Sequence, residues 1–262
     1  MDSKNSFFQY SNGINLKFIY FFISFSLTVC CSSKSKNITE KIINLEKISI
    51  DSINLKIYNK NYLMGKFDYK SDSSFSIVPP IYTYKTIFLK KVVLDSFIKM
   101  AEEAKKSEIN LKIISGTRNF FEQKSIWDRK WNNLSGLTDI EKAKKILEFS
   151  SMPSTSRHHW GTEIDVNNLN NSYFSKGQGL KEYTWLVENA DKFGFFQPYT
   201  SKNNGRTGYN EEKWHWSFKP ISYQCLKVFK NSISHEDIND FLGHDTAPKI
   251  DVITNYVDGI EY

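Results

Sequence analysis

The sequence has 262 residues, enough for one large domain or two small ones. Hydrophobic residues make up 40% and charged residues 24%, an ordinary globular balance. The formal net charge is +6, without a basic stripe interleaved with aromatic residues, which argues against nucleic-acid binding. The three cysteines, Cys30, Cys31 and Cys225, imply no disulfide framework.

The N-terminus has the pattern of a targeting segment. Residues 18–29 form an apolar run after Lys17, shorter than the roughly 20 residues that span a bilayer. The run ends at two cysteines, which resembles a lipoprotein signal with Cys31, or else Cys30, as the lipidated residue. We predict a signal over 1–31, or an uncleaved anchor, with the rest of the chain outside the cytoplasm.

The first half of the remaining chain alternates predicted strands and helices. Residues 32–52 are polar and indicate a tether. Alternating apolar residues predict short strands within 53–69, and helical spacing predicts a helix over 91–107. A buried strand follows within 109–115, and then two helices over 119–132 and 139–149, the second capped by Thr138.

The second half completes one α+β domain. A strand is predicted over 161–168, a helix over 180–194 closed by Gly194, and an aromatic strand over 213–218. Polar helical segments follow over 234–258, with Ser234 as a candidate cap. We therefore predict a single domain over 53–262, with a helical extension from about 228.

Two histidine-containing segments carry the candidate chemistry. In SRHHWGTEIDVN (156–167), His158 precedes a possible turn and Asp165 follows it on a predicted strand. In EEKWHWSF (211–218), His215 lies between two tryptophans on another strand. Two histidines, one carboxylate and an open position make a catalytic zinc site. Spacing alone leaves His159 as an alternative to His158, and Glu163 as an alternative to Asp165.

A zinc hydrolase also needs a general base and a cation for the developing oxyanion. Glu212 is three residues before His215 and is the leading candidate for the base, with Glu211 beside it as a competitor. Arg118 follows a predicted buried strand, where loop residues commonly enter a site.

Together these segments resemble the VanY-like D-alanyl-D-alanine carboxypeptidases, zinc D,D-peptidases that share their fold with Hedgehog signalling domains. The resemblance rests on SGTRNFFEQ, MPSTSRHHWGTEID, DKFGF and EKWHW, which occur in the family's order. It covers about residues 55–225. It implies an α+β Hedgehog/D,D-peptidase-like domain, with a small, mostly antiparallel sheet flanked by helices.

The resemblance also implies roles for individual residues. The zinc ligands would be His158, Asp165 and His215. Glu212 would be the catalytic acid/base, and Arg118 would steady the substrate carbonyl. The substrate-binding positions implied by the family pattern, together with the flanking tryptophan, are Gln123, Ser156 and Trp214. Two positions depart from the family pattern: Ser154 stands where glycine is frequent, and Glu163 stands where a small residue is usual.

The implied function is removal of the terminal D-alanine from peptidoglycan stem peptides by a lipid-anchored envelope protein facing the periplasm or exterior. The alternatives are an L,D-carboxypeptidase, a D,D-endopeptidase, a non-catalytic zinc-containing envelope lipoprotein and a zinc-stabilised interaction domain. The charge of Glu163 near the metal is expected to affect metal affinity or pocket polarity.

Overall fold

The computed structural model describes residues 58–261. The predicted signal over 1–31 and tether over 32–52 lie outside the described residues, as does the start of the predicted domain. Within 58–261, no helix combines the length and apolar character needed to cross a membrane.

Short strands alternate with longer helices along the described chain. The helices are α1 (Lys60–Leu63), α2 (Lys91–Lys106), α3 (Phe120–Asn132), α4 (Asp139–Ile146), α5 (Gly177–Asn189) and α6 (Lys219–Ser232). The strands are β1 (Phe75–Ile77), β2 (Phe88–Lys90), β3 (Ile113–Ser115), β4 (Glu163–Val166), β5 (Phe195–Phe196) and β6 (His215–Phe218).

The strands form two small antiparallel sheets. Strands β1 and β2 pair with each other, and the second sheet has the order β3-β4-β6-β5. Helices α2 and α5 share one buried cluster with the apolar residues of β4 and β6, while α3 and α6 belong to a second cluster. The predicted α+β class with a small antiparallel sheet is confirmed.

Local signals in the sequence account for the starts and ends of several helices. Asn119 and Glu122 form a capping box at the start of α3, and Thr138 forms one with Glu141 at α4. Helix α5 is followed by a 3₁₀ turn that Gly194 closes at φ 81°. A Cβ at Gly194 would lie 2.9 Å from the Phe218 ring, so glycine is required there by both φ and space.

The predicted strands within 53–69 are wrong for the part that the structure describes, residues 58–69. Helix α1 lies there instead, because the Asn59 side chain accepts a hydrogen bond from the Tyr62 backbone amide. Tyr62 and Leu63 are buried consecutively, which a half-exposed strand would not allow. The Trp160 indole holds this segment in place by donating to the Leu63 carbonyl oxygen at 3.1 Å.

The C-terminal part is helical in short pieces. Helix α6 crosses residue 228, so the predicted start of the extension falls inside a helix. Beyond it lie the 3₁₀ turns His235–Asp237 and His244–Thr246 and one π turn, Ile253–Val257. The backbone amide of Ser234 donates to the Asp237 carboxylate at 2.8 Å, which caps the first of these turns.

Candidate metal centre

The pairing of β4 with β6 brings the two histidine-containing segments together. Asp165 lies opposite His215, and Glu163 lies opposite Ser217. Side chains alternate along a strand, so these four point to the same face of the sheet. All four are buried, and the site is therefore built into the sheet itself.

His158 reaches this face from a 3₁₀ turn, Arg157–Trp160, that precedes β4. Gly161 ends the turn at φ 71°, and a Cβ there would lie 2.4 Å from the Phe75 ring. The His158 Nδ1 atom lies 2.8 Å from the Gly116 carbonyl oxygen. A carbonyl oxygen can only accept, so Nδ1 carries the proton and Nε2 is left as the ligand atom.

Whereas His158 offers Nε2, His215 offers Nδ1 to the same cluster. Its Nε2 atom lies 2.9 Å from Glu163 Oε2, and its Nδ1 atom lies 2.9 Å from Asp165 Oδ1. The second Asp165 oxygen, Oδ2, is 3.4 Å from His158 Nε2. The Asp165 carboxylate thus lies between the two imidazole rings, whose centroids are 4.9 Å apart.

The three predicted ligands fit a catalytic zinc ion. Each of His158, Asp165 and His215 offers a ligand atom, and these atoms lie within 4.8 Å of one another. Two imidazole nitrogens and one carboxylate oxygen form the donor set of a zinc hydrolase that keeps a coordination position for substrate. Each imidazole is also held at its other nitrogen, as metal-binding histidines usually are.

The alternatives left open by spacing are directed elsewhere. His159 Nδ1 lies 2.7 Å from the Arg118 carbonyl oxygen, and its ring packs over Gly65, away from the cluster. Glu163 contacts the far nitrogen of His215 and lies behind the ligand set. Glu211 contributes its backbone carbonyl to a bond from Asn171, and its side chain does not line the cavity.

Glu212 lies beside the ligands because of a tight turn. The His215 amide donates to the Glu212 carbonyl oxygen at 3.2 Å, and this turn brings Glu212 Oε2 to 3.6 Å from His215 Nδ1. Burial raises the pKa of Glu212 to about 8; nearby Asp165 also raises it, against the charge of His215. A carboxyl group with a pKa near neutrality suits both proton acceptance and donation.

The charges of the ligand cluster are strongly coupled. Burial alone would raise the pKa of Asp165, but His158 and His215 hold it well below its usual range. Burial would lower the pKa of His215, but its bonds to Asp165 and Glu163 raise it to about 9. The His158 pKa is lowered by burial and by the charge of Arg118. The Asp165 and Glu163 carboxylates therefore remain ionised next to the imidazoles.

Arg118 is held by two neighbours. Its Nε donates to Gln123 Oε1 at 3.0 Å and its Nη1 donates to Ser115 Oγ at 2.6 Å. The Gln123 amide in turn donates to the Ser151 carbonyl oxygen at 2.8 Å. Gln123 lines the cavity and fixes the guanidinium, and its substrate role stays a prediction.

These groups open into a cavity of about 530 Å³. One wall is aromatic, with the Phe149 and Trp214 ring centroids 6.1 Å apart. The other predicted site residues in the lining are Arg118, Gln123, His158, Asp165, Glu212 and His215. Ser156 does not line the cavity. Its buried Oγ has no hydrogen-bond partner among residues 58–261, so its substrate role stays a prediction.

Several residues of the cavity lining were not named as site residues from the sequence, and three of them bear on its chemistry. Tyr199 stacks on His215 with ring centroids 4.7 Å apart. Arg129 and Lys130 add basic groups from α3, and the Lys130 ammonium donates to Ser150 Oγ at 2.5 Å. Within the described chain, no carboxylate lies within 4 Å of either cation. Lys130 is seven residues after Gln123, a helical spacing that would have placed both on one face.

Curated relatives resemble the chain over most of its length. The putative carboxypeptidase YodJ of Bacillus subtilis (strain 168) is 29% identical over 207 residues, covering 75% of this chain and 70% of its own. A D-alanyl-D-alanine carboxypeptidase of Enterococcus faecium is 24% identical over 233 residues, covering 84% and 68%. A solved structure of VanYB in complex with D-alanine-D-alanine shares 20% identity, with a TM-score of 0.47, covering 64% and 93%.

The sequence profile of the family VanY, D-alanyl-D-alanine carboxypeptidase, matches residues 86–221. That span is over half of the chain. It contains every predicted ligand, the acidic residue beside them and the arginine of the cavity wall. The chain therefore belongs to the VanY family of D-alanyl-D-alanine carboxypeptidases.

Proposed function

We propose that this protein is a zinc-dependent D-alanyl-D-alanine carboxypeptidase of the bacterial cell envelope, which removes the terminal D-alanine from peptidoglycan stem peptides. Family membership supports the reaction class. The observation that carries the proposal is the buried cluster of His158, Asp165 and His215, with the Glu212 carboxyl group 3.6 Å from a ligand atom.

The ligands His158 Nε2, Asp165 and His215 Nδ1 would hold the zinc ion. Zinc bound there would supply Lewis acidity toward a peptide carbonyl and would make water more acidic. Glu212 accepts the proton of the attacking water at its carboxylate and returns it to the departing D-alanine amine. The buried position of Glu212 beside the ligands suits both steps.

The remaining side chains bind and orient the peptide. Arg118, fixed by Gln123 and Ser115, places a positive charge in the cavity wall for the developing oxyanion. Arg129 and Lys130 line the same cavity without a carboxylate partner within 58–261. Stem peptides carry several carboxylates, and this basic wall suits them.

The cellular location belongs to the same proposal. Peptidoglycan lies outside the cytoplasm, which agrees with the predicted signal over 1–31 and a lipid anchor at Cys31 or Cys30. The partners are then the stem peptides and the membrane that holds the anchor.

The proposal is tested with purified full-length protein and defined muropeptides. Pentapeptide, tetrapeptide and cross-linked stems are incubated with zinc-loaded protein, and the products are read by mass spectrometry. We expect loss of one D-alanine from the pentapeptide and no loss after chelation. Cleavage of only tetrapeptide or cross-linked stems would replace the proposed specificity with an L,D-carboxypeptidase or endopeptidase. No cleavage with one zinc ion per chain would contradict catalysis.

Replacing the acid/base tests the role of Glu212 directly. Glu212→Gln keeps the shape but cannot accept and return a proton, so kcat should fall by roughly 10²–10⁴-fold. Zinc content should stay at one per chain. The matched control is Glu211→Gln, which changes the neighbouring carboxylate outside the cavity lining and should leave kcat within about twofold. Equal losses in both variants would contradict the assignment.

A further inference from the structure

A second carboxylate, that of Glu163, lies directly behind the ligand cluster. Its side chain is completely buried, and its Oε2 lies 2.9 Å from His215 Nε2. Because Asp165 contacts Nδ1 of the same ring, the imidazole of His215 lies between two carboxylates. Asp165 is a predicted ligand and lines the cavity. Glu163 does not line the cavity.

Three neighbours hold the Glu163 carboxylate at its other oxygen. Thr162 Oγ1 and Ser217 Oγ donate to Oε1 at 2.9 and 2.7 Å. The Arg157 Nη2 atom is 3.4 Å from Oε1 and also donates to Ser217 Oγ at 2.8 Å. These contacts fix the orientation of the carboxylate, so Oε2 is aimed at the imidazole before any metal binds.

Burying these charged groups costs more free energy than an apolar contact in the core would. Arg157 and Glu163 are both buried, and their desolvation is offset only by good geometry and further hydrogen bonds. The atoms of the Arg157–Glu163 ion pair are 3.4 Å apart, longer than the 2.9 Å contact between Glu163 and His215. Arg157 Nε and Nη1 have no hydrogen-bond partner within the described residues. The best-formed contact of the carboxylate to a basic group is therefore the one to the imidazole.

The carboxylate has a defined effect on His215. An ionised carboxylate only accepts, so Glu163 holds a proton on His215 Nε2. Asp165 likewise accepts at Nδ1 of the metal-free ring, and release of that second proton leaves the Nδ1 lone pair free for a metal while Nε2–H stays bound to Glu163. Hydrogen bonding to a carboxylate also makes a ligating imidazole a stronger electron donor. Both effects favour metal binding at Nδ1.

We propose that Glu163 is a positioning residue of the metal centre, which fixes the Nε2–H tautomer of His215 and strengthens zinc retention. Arg157, Thr162 and Ser217 hold Glu163 in place for this role. The inference rests on the metal site of the proposed function and does not depend on which bond the enzyme cleaves.

The first test measures zinc affinity by competition with a chelating dye, using the full-length protein. We expect Glu163→Gln to weaken affinity by about 10-fold, and Glu163→Ala by up to about 100-fold. The matched control is Glu182→Gln, the same change at a buried carboxylate on α5 that bonds to the Tyr173 hydroxyl and lies outside the cavity lining. Its zinc affinity should stay within about threefold. A purely structural role would lower the thermal stability of metal-free Glu163→Gln with unchanged zinc affinity, and that result would overturn the proposal.

The second test needs no variant to fold. In zinc-loaded wild-type protein labelled with ¹⁵N-histidine, the His215 resonances should show a protonated Nε2 and a metal-bound Nδ1. A protonated Nδ1 would overturn the proposal. Failure to bind zinc at all would refute the metal site, whereas zinc binding without peptide cleavage would refute only the proposed reaction. The affinity measurement therefore separates the two proposals.

Discussion

On strand β4, Ile164 and Val166 point to one face of the sheet, and Glu163 and Asp165 point to the other. All four side chains are buried, with at most 6% of any of them exposed. The apolar pair joins the cluster formed with α2 and α5. The acidic pair forms hydrogen bonds with imidazole and hydroxyl groups. Burial is therefore the same on both faces, and only the chemistry differs.

The difference shows how a four-residue strand serves both stability and chemistry. Apolar side chains gain free energy simply by leaving water, about 25 cal/mol per Å² buried. A buried carboxylate loses hydration and must recover it through specific partners. Asp165 recovers it from two imidazoles, and Glu163 from His215 and three further donors or cations.

The same contrast occurs between two consecutive histidines. His158 faces the polar side of the sheet and lies 3.4 Å from the Asp165 carboxylate. His159 has no acidic partner within the described residues and packs over Gly65. Its Nε2 atom is buried without a hydrogen-bond partner. One histidine belongs to the candidate metal centre, and the other packs against the backbone at Gly65.

The largest effect is expected on the polar face. Asp165→Asn removes the only anionic ligand while keeping the side-chain shape, so zinc should be lost on dialysis. Because the ligands act as a unit, activity should fall on the order of 10³-fold or more. Zinc analysis after dialysis and a peptide-release assay measure both, and near-ultraviolet circular dichroism checks the fold. Retention of one zinc per chain would contradict the ligand assignment.

The neighbouring residue on the apolar face should give the opposite result. Ile164→Ala leaves a cavity beneath α2 and α5, and the free energy of unfolding should fall by about 2–5 kcal/mol. Zinc content and kcat should stay within about twofold at temperatures where the variant is folded. Denaturant unfolding and zinc analysis of one preparation test this separation. Loss of zinc from a folded Ile164→Ala variant would show that the two faces are not independent.

The sequence was most informative where distances along the chain are short. His158 and Asp165 are seven residues apart, and Glu212 and His215 are three apart, so turns and strand alternation constrain them. Spacing alone did not separate His158 from His159; the family resemblance favoured His158, and the physical reason lies in its contact with the distant Gly116 carbonyl oxygen.

Other features depend on contacts that no local pattern reports. Tyr199 reaches the cavity only through tertiary packing, whereas Lys130 has a helical spacing from Gln123 that places both on one face of α3. Helix α6 was not predicted, although Ser222, Cys225 and Phe229 have helical spacing.

The smallest expected effect concerns His159 and the pH dependence of stability. Burial, helped by the charges of Arg118 and His158, lowers the pKa of His159 to about 3, although the bond to the Arg118 carbonyl oxygen opposes this shift. The unfolded chain binds a proton near pH 6.5, but the folded protein does not until about pH 3. The contribution of His159 should therefore lower the free energy of unfolding as pH falls below 6.5, by at most about 1.4 kcal/mol per pH unit.

His159→Asn isolates that contribution, because asparagine keeps a donor near the position of Nδ1 but does not titrate in this range. The variant should be less stable than the wild type at pH 7.5, since it leaves space beside Gly65. Its deficit should shrink, or reverse, between pH 6.5 and 4, because only the wild type pays the proton-linked cost. Urea unfolding of both proteins with chelator present keeps metal ligation out of the comparison. A deficit that stays constant with pH would show that His159 titrates alike in the folded and unfolded states, which would contradict its dry, neutral packing beside the metal centre.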